Sequence, residues 1–132
     1  MKDSKIVIGF LILAGLVGLY VGGGLLFFPA GMQEPNGILI GDNASLFSET
    51  RAPGAAIFGA SLLMLLAVLR ASWRSMGLVI ASLFFLSYGL GRLLSLVMDG
   101  QPADALYYAM FGELALGGIA LILFFRSSKT TE

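Results

Sequence analysis

The sequence contains no cysteine and no histidine among its 132 residues. The absence of cysteine excludes disulfide bonds and thiolate nucleophiles. The absence of histidine removes imidazole bases, histidine-ligated haem and the usual zinc and copper sites. We therefore expect no bound metal, no cofactor and no catalytic residue in this chain.

Charged residues are also scarce, at 12% of the chain, whereas a soluble domain has about a quarter of its residues charged. The eight basic and eight acidic residues cancel, which removes the case for nucleic acid as a partner. Hydrophobic residues make up 58% of the chain, and the mean hydropathy is +0.91. This composition predicts an integral membrane protein.

Four apolar stretches are each close to the roughly 20 residues that a helix needs to cross about 30 Å of hydrocarbon. They cover residues 6–28, 51–69, 75–98 and 103–125. The first stretch exceeds the roughly 7 to 15 apolar residues of a cleaved secretory signal, so we interpret it as a membrane helix. Short loops join the last three stretches, which makes consecutive helices antiparallel neighbours. We predict an all-α fold, a single four-helix transmembrane bundle over residues 1–132.

Local signals mark the ends of the predicted helices. Thr50 is the expected N-cap of the second helix, with Pro53 in its first turn. Residues 99–102, Asp-Gly-Gln-Pro, predict a tight turn before the fourth helix. Residues 29–49 are long enough to have their own structure, and we expect an interfacial loop there. The polar tail over residues 126–132 is expected to fray.

The basic residues predict the orientation of the bundle, because six of the eight lie on one side. These six are Lys2, Lys5, Arg70, Arg74, Arg126 and Lys129. The positive-inside rule makes that side cytoplasmic, with both termini inside and the loop of residues 29–49 outside. Trp73 on the inner side, and Tyr107 and Tyr108 on the outer side, are typical of interfacial aromatic residues.

Two charged residues, Arg92 and Glu113, fall inside the apolar stretches, where an unpaired charge facing lipid is costly. At about 1.5 Å per residue, Arg92 lies about 10 Å and Glu113 about 13 Å below the outer helix ends. Their helices are neighbours, so we predict an ion pair in the outer half of the bundle. Such a pair either only fixes the helix register, or it presents the planar Arg92 side chain to an anionic or carbonyl group.

Further polar residues surround this predicted pair. Tyr88, Arg92, Ser95 and Asp99 recur at steps of four, three and four, which places them on one helix face. At the start of the second helix, Arg51 is expected to meet Asp99 or Glu113, and Glu49 to meet Arg92. Arginines lower the basicity of neighbouring carboxylates, which argues against acid–base catalysis. We interpret these polar residues as a binding site, and the predicted ligand-binding residues are Glu49, Arg51, Tyr88, Arg92, Ser95, Asp99 and Glu113.

Small residues recur at helical spacing in two of the predicted helices. The two sets are Gly15, Gly18 and Gly22 in the first helix, and Ser87, Gly91 and Ser95 in the third. Because this spacing lets helices approach closely in lipid, we expect both sets at helix–helix contacts. Three consecutive glycines, residues 22–24, each weaken a helix by about 1 kcal/mol relative to alanine. They indicate either a hinge or a local loosening.

Several of these segments together resemble a known family. Residues 48–54, residues 91–95, residues 99–102 and Glu113 are similar in order and spacing to domain of unknown function 4345, a family of small bacterial membrane proteins. The resemblance covers nearly the whole chain and implies a multi-pass protein of the bacterial inner membrane. It implies a polar signature formed by Glu49, Arg51, Arg92, Asp99 and Glu113. A more distant likeness to four-helix DoxX-type proteins, in architecture alone, hints at respiratory or redox accessory roles.

These observations predict a non-enzymatic membrane protein whose outer-leaflet polar pocket binds a lipid, a quinone or a similar amphiphile. The partners would then be membrane lipids and an amphiphilic ligand. A different interpretation is a structural accessory subunit that docks onto a larger membrane complex or forms a homo-oligomer. A third is a proton-coupled carrier that uses Glu113, although a chain this short would need a second copy to supply the usual two repeats.

Overall fold

The computed structural model describes residues 2–130, with side chains described for residues 4–129. Five α-helices account for most of the chain: α1 (Lys2–Phe27), α2 (Pro29–Gln33), α3 (Ala44–Leu69), α4 (Arg74–Asp99) and α5 (Asp104–Thr130). Short 3-10 turns cover Glu34–Asn36 and Ala71–Trp73, and no strand occurs within residues 2–130. The predicted all-α fold is confirmed.

Four of these helices, α1, α3, α4 and α5, are long and apolar enough to cross a membrane, with mean hydropathies between 1.7 and 2.4. Only 22% to 39% of their most apolar windows is buried inside the protein, so most of that surface faces outward. Water would not solvate such a surface, and lipid covers it at no cost. The chain is thus a multi-pass membrane protein with a helical bundle. The orientation, with both termini cytoplasmic, stays a prediction, and the inner and outer ends of the bundle are named according to it.

Glycines let α1 and α3 approach each other closely, as the spacing in α1 predicts. A Cβ atom on Gly22 would lie 2.5 Å from the Phe58 nitrogen and 2.9 Å from the Gly54 carbonyl oxygen. At Gly18, the Ser61 hydroxyl occupies the space that a Cβ atom would need. The contacts at Gly22 are between backbones, so they fix how α1 sits on α3 in the outer half of the bundle.

The buried apolar cluster lies in the inner half of the bundle, where all four long helices meet. Leu11 and Leu78 are fully buried at its centre, together with Ala67 of α3 and Ala120 of α5. Helix α4 packs mainly on α5, and the contacts between Gly89 and Leu114 and between Arg92 and Glu113 continue this packing into the outer half. Because the buried apolar cluster is concentrated in the inner half, the outer half has room for a cavity.

Helix α3 begins at Ala44, seven residues earlier than predicted, and Thr50 is not its N-cap. Asn43 caps the helix, and its side-chain oxygen accepts hydrogen bonds from the backbone nitrogens of Ser45 and Leu46. The Thr50 hydroxyl donates to the Leu46 carbonyl within the helix. The residues before Thr50 mix apolar and polar side chains, and Thr50 with Pro53 also fits a helix start, so the sequence alone did not reveal the earlier beginning. Pro53 lies inside α3, which continues through it although a proline removes one backbone donor.

The segment of residues 28–43 crosses the outer end of the bundle. It contains α2 and a 3-10 turn that contacts α5. The turn ends at Gly37, whose φ of 79° lies in the left-handed region and whose nitrogen donates to the Glu34 carbonyl. Ile40 is buried, whereas Leu39 is 78% exposed. The segment therefore covers part of the bundle end, and its placement at a membrane interface stays a prediction.

Two other segments near helix ends are helical. The tail that was expected to fray after residue 125 is helical as far as Thr130, while residues 131–132 lie outside the described residues, as does the Lys2 side chain. The glycine run at residues 22–24 does not break α1, which continues to Phe27. Packing explains this continuity, because Gly22 lies against α3 and Gly24 against Met32 of α2.

Candidate functional site

Arg92 of α4 and Glu113 of α5 form the ion pair that their depths in the sequence predict. The Nε atom of Arg92 donates to Oε1 of Glu113 at 3.1 Å and to Oε2 at 2.9 Å. The two side chains are 29% and 17% exposed, so the pair is largely enclosed by the bundle. Because a short turn joins α4 to α5, the pair also fixes the register of these two helices.

The rest of the Arg92 guanidinium group has donors to spare. An arginine side chain carries five N–H donors, and only the one on Nε is used here. The four on the two terminal nitrogens have no acceptor among the residues that the structure describes. The Cζ atom lies 5.9 Å from the centroid of the Tyr88 ring, a cation–π contact that helps to hold the group. Arg92 is thus well positioned but incompletely hydrogen-bonded.

A cavity of about 220 Å³ lies beside the ion pair, between α1, α3, α4 and α5. Its polar lining consists of Ser61, Tyr88, Arg92 and Glu113, and the rest of the lining is apolar or glycine. The Ser61 hydroxyl donates to the Ile57 carbonyl of its own helix, so little of its polarity reaches the cavity. The larger apolar side chains around it include Val21, Ile57, Met64, Phe84, Phe85 and Leu116. The result is an apolar chamber with one polar wall.

An open groove on α4 adjoins this cavity. Ser87, Gly91 and Ser95 line it together with Tyr88 and Arg92. The first three are exposed, and nothing lies within 4 Å of the position that a Cβ atom on Gly91 would take. Tyr88 and Arg92 belong to both spaces. The side chain that has free donors therefore stands where the groove meets the cavity.

The prediction that the small residues of α4 mediate helix packing is wrong for contacts within this chain. Other glycines of α4 do that work: Gly89 lies against Leu114 of α5, and Gly77 lies against Ala67 of α3. Gly77 is near the inner end of α4, in the buried cluster, whereas Gly91 is four turns further out. Helix α4 therefore packs on α3 at its inner end, and the groove stays open because no other helix of the described residues lies beside Gly91.

Glu49 and Arg51 do not join the ion pair, so the predicted cluster of balanced charges is wrong. Nη1 of Arg51 donates to the Leu26 carbonyl of α1 at 2.6 Å, and its Cζ lies 5.5 Å from the centroid of the Phe47 ring. Glu49 is exposed, and neither residue contacts Arg92 within the described part of the chain. The reason is that α3 packs on α1 here and does not reach α5.

The other predicted polar residues lie at the outer margin. The Ser95 hydroxyl donates to Asp99 Oδ2 at 2.9 Å, so Asp99 continues the polar face without reaching the ion pair. Tyr107 packs edge-on against Phe111, with ring centroids 5.1 Å apart, and against Tyr108 at 5.7 Å. Neither tyrosine lines the cavity. Both remain candidates for interfacial anchors.

Sequence reasoning missed most of the cavity wall. Phe84 and Phe85 precede Tyr88 by four and three residues, so helical spacing already places them on its face. Gly112 is adjacent to Glu113 and lines the cavity, and nothing lies within 4 Å of the position that a Cβ atom on it would take. The lining residues of α1 and α3 could not be predicted in this way, because no charged residue in those parts of the helices shows which residues lie at the depth of the ion pair.

Comparison with known proteins identifies one family. The model described as domain of unknown function (DUF4345) matches residues 6–124, which include the ion pair, the groove and every residue that lines the cavity. No curated protein and no solved structure matches the chain. The features of the site itself must therefore support any functional interpretation.

Proposed function

This chain belongs to the DUF4345 family, and we propose that it binds a membrane amphiphile, such as a lipid or a quinone, in the outer half of the bilayer. The observation that carries the proposal is the set of four unused N–H donors on Arg92, beside an apolar cavity. Unsatisfied polar groups are expensive in an apolar environment. A ligand that brings an acceptor on an apolar body would remove that cost.

The charge balance favours an uncharged acceptor over a free anion. Glu113 already neutralises Arg92, so an added anion would leave a net negative charge within the bundle. A carbonyl oxygen accepts hydrogen bonds from the terminal nitrogens without adding charge. Esters, amides and quinones all carry such an oxygen, so we expect the ligand to belong to one of these chemical classes.

We propose a binding role rather than catalysis. Both oxygens of Glu113 accept from Arg92, so this carboxylate is engaged and poorly placed to act as a base. We also place the protein in the inner membrane of a bacterium, because proteins of the outer membrane are typically β-barrels whereas this chain has four apolar helices.

A second candidate function is that of an accessory subunit, and one observation favours it. The exposed stripe of Ser87, Gly91 and Ser95 has the small-residue spacing that lets another helix approach closely in lipid. No helix within the described part of this chain covers it. A helix of a second copy or of a larger complex would fill the groove and leave the cavity as a packing defect.

Native mass spectrometry of protein released from its own membrane tests the first proposal. We expect a bound small molecule that is lost in Arg92→Gln and retained in Arg70→Gln. Arg70 is the matched control because it is an exposed arginine at the opposite end of the bundle. Thermal unfolding of both variants establishes that they remain folded.

The same experiment can reject the proposal. If Arg92→Gln stays folded and carries the same molecules as the wild type, Arg92 does not hold a ligand. If that variant instead loses a second copy or another protein, the accessory-subunit function replaces the binding function.

A further inference from the structure

The cavity and the groove differ in chemistry, although they meet at the same two side chains. The cavity is apolar apart from its single polar wall, and the groove offers the hydroxyls of Ser87 and Ser95 beside the flat surface of Gly91. Tyr88 and Arg92 border both. A molecule that fits both spaces is therefore apolar where it fills the cavity and carries a hydrogen-bond acceptor at Arg92.

We propose, resting on the function above, that the ligand is an outer-leaflet lipid that divides between the two spaces. One acyl chain lies in the cavity, and the ester carbonyl lies at Arg92, where the terminal nitrogens of the guanidinium group donate to it. The head of the lipid occupies the outer part of the groove, beside Ser95. This arrangement places apolar and polar parts of the lipid against surfaces of the same character.

The depth of Arg92 fits a carbonyl better than a phosphate group. The 26 residues of α4 give a length of about 39 Å, which exceeds the hydrocarbon thickness of about 30 Å. With the excess shared between the two ends, Arg92 lies about 6 Å below the outer boundary of the hydrocarbon. Ester carbonyls mark that boundary, whereas phosphates lie further out. The long Arg92 side chain spans the remaining distance.

The size of the cavity limits how much of the lipid enters. Its volume of about 220 Å³ is roughly one and a half times that of the about 150 Å³ engineered cavity that holds one benzene molecule. One segment of a single acyl chain fits this space, and two chains do not. A second chain stays in the bilayer, which the open groove permits. The lipid thus enters sideways from the membrane and never crosses water.

Photocrosslinking in lipid nanodiscs tests the placement with two probes. The first is a phosphatidylcholine with a diazirine in the middle of one acyl chain, and the second carries the diazirine on its head group. We expect the chain probe to label cavity residues such as Met64, Phe84 and Leu116. We expect the head-group probe to label the outer part of α4 around Ser95.

Three glycine substitutions test whether the lipid occupies the groove and the cavity. Each should be tolerated by the fold, because a Cβ atom added at each of these glycines would have nothing within 4 Å. Gly91→Leu blocks the groove, Gly112→Leu fills the cavity, and Gly118→Leu on α5 is the matched control that lines neither space. We expect cavity labelling by the chain probe to fall about tenfold in the first two variants, equivalent to about 1.4 kcal/mol, and to be unchanged in the third. Thermal unfolding verifies that all three variants fold.

Different failures overturn different claims. Labelling that falls in Gly112→Leu but persists in Gly91→Leu would overturn the groove as the lipid site and leave amphiphile binding intact. Cavity labelling by the head-group probe would reverse the orientation. Absence of chain labelling, alongside an Arg92-dependent molecule in native mass spectrometry, would overturn the lipid and keep the proposed function. A dimer crosslinked through α4 in place of lipid would assign the groove to a second copy.

Discussion

Arg92 binds Glu113 through its Nε atom, which donates to both carboxylate oxygens at 3.1 and 2.9 Å, and not through its terminal nitrogens. The geometry satisfies Glu113 and leaves the two-pronged end of the guanidinium group unused. The same contact can therefore tie α4 to α5 and present donors to a ligand. Structural and binding roles of the pair are compatible, and separate measurements distinguish them.

The first prediction is that Arg92 and Glu113 are energetically coupled. Glu113→Gln leaves the guanidinium charge without its partner, and we expect the free energy of unfolding to fall by about 3 kcal/mol. The double variant Arg92→Leu with Glu113→Leu should recover much of this loss, because it buries no charge. Unfolding of the wild type, both single leucine variants and the double variant in detergent gives the coupling energy. Strictly additive losses would contradict the coupling.

Glu49→Gln is the control for this cycle. Glu49 is exposed, and no ion pair involves it within residues 4–129. We expect a change in unfolding free energy within about 0.5 kcal/mol, as for most surface substitutions. A loss comparable to that of Glu113→Gln would show that removing any carboxylate destabilises the bundle.

Neighbouring glycines of α1 provide the second prediction. Gly22→Ala places a methyl group 2.5 Å from the Phe58 nitrogen, so α1 and α3 must separate and stability falls by about 1 to 3 kcal/mol. Gly23→Ala places its methyl group 3.6 Å from the Phe58 ring, an ordinary contact, and gains up to about 1 kcal/mol of helix propensity. Thermal unfolding of the two variants should shift in opposite directions. Equal effects would mean that the backbone contact at Gly22 is absent.

The third prediction concerns Arg51, which hydrogen-bonds the Leu26 carbonyl near the end of α1. The last carbonyls of a helix lack partners within the helix, so this bond satisfies one of them. We expect Arg51→Met to lower the unfolding free energy by about 1 kcal/mol, since the side chain is exposed and water replaces part of the bond. Arg51→Lys should lose less. An unchanged stability in Arg51→Met would show that the bond contributes nothing.

The fourth prediction is the topology, with residues 28–43 outside and both ends of the chain inside. The natural chain contains no cysteine, so a single introduced thiol reports its own side. Leu39→Cys, at a site that is 78% exposed, should react with an impermeant maleimide on intact cells. Ser72→Cys, in the exposed turn between α3 and α4, should react only after the inner face is opened. The reverse pattern would invert the bundle and move the site to the inner leaflet.

The ion pair was predictable from the sequence because a short turn connects the two helices that carry it. Counting residues from that turn gives the depth of Arg92 and of Glu113 directly, at about 1.5 Å per residue. Hydropathy likewise identifies all four membrane helices, since each is a long apolar run. The beginning of α3 escaped prediction because Thr50 and Pro53 resemble a helix start, whereas the true cap, Asn43, lies about two turns earlier.

The remainder of the site depends on contacts between helices that are distant in sequence. Arg51 meets Leu26 because Gly22 and Gly54 bring α1 onto α3, and neither charge nor spacing near Arg51 encodes that choice of neighbour. The groove at Gly91 has the same origin. Its small-residue spacing is that of a packing motif, and only the arrangement of the four helices shows that the motif is uncovered.

A structure determined from protein extracted in its native lipid tests the central claim most directly. We expect non-protein density that fills the cavity and continues past Arg92 into the groove, with an acceptor atom about 3 Å from a terminal guanidinium nitrogen. Protein side chains that close the cavity, with both terminal nitrogens of Arg92 hydrogen-bonded to the protein itself, would contradict it.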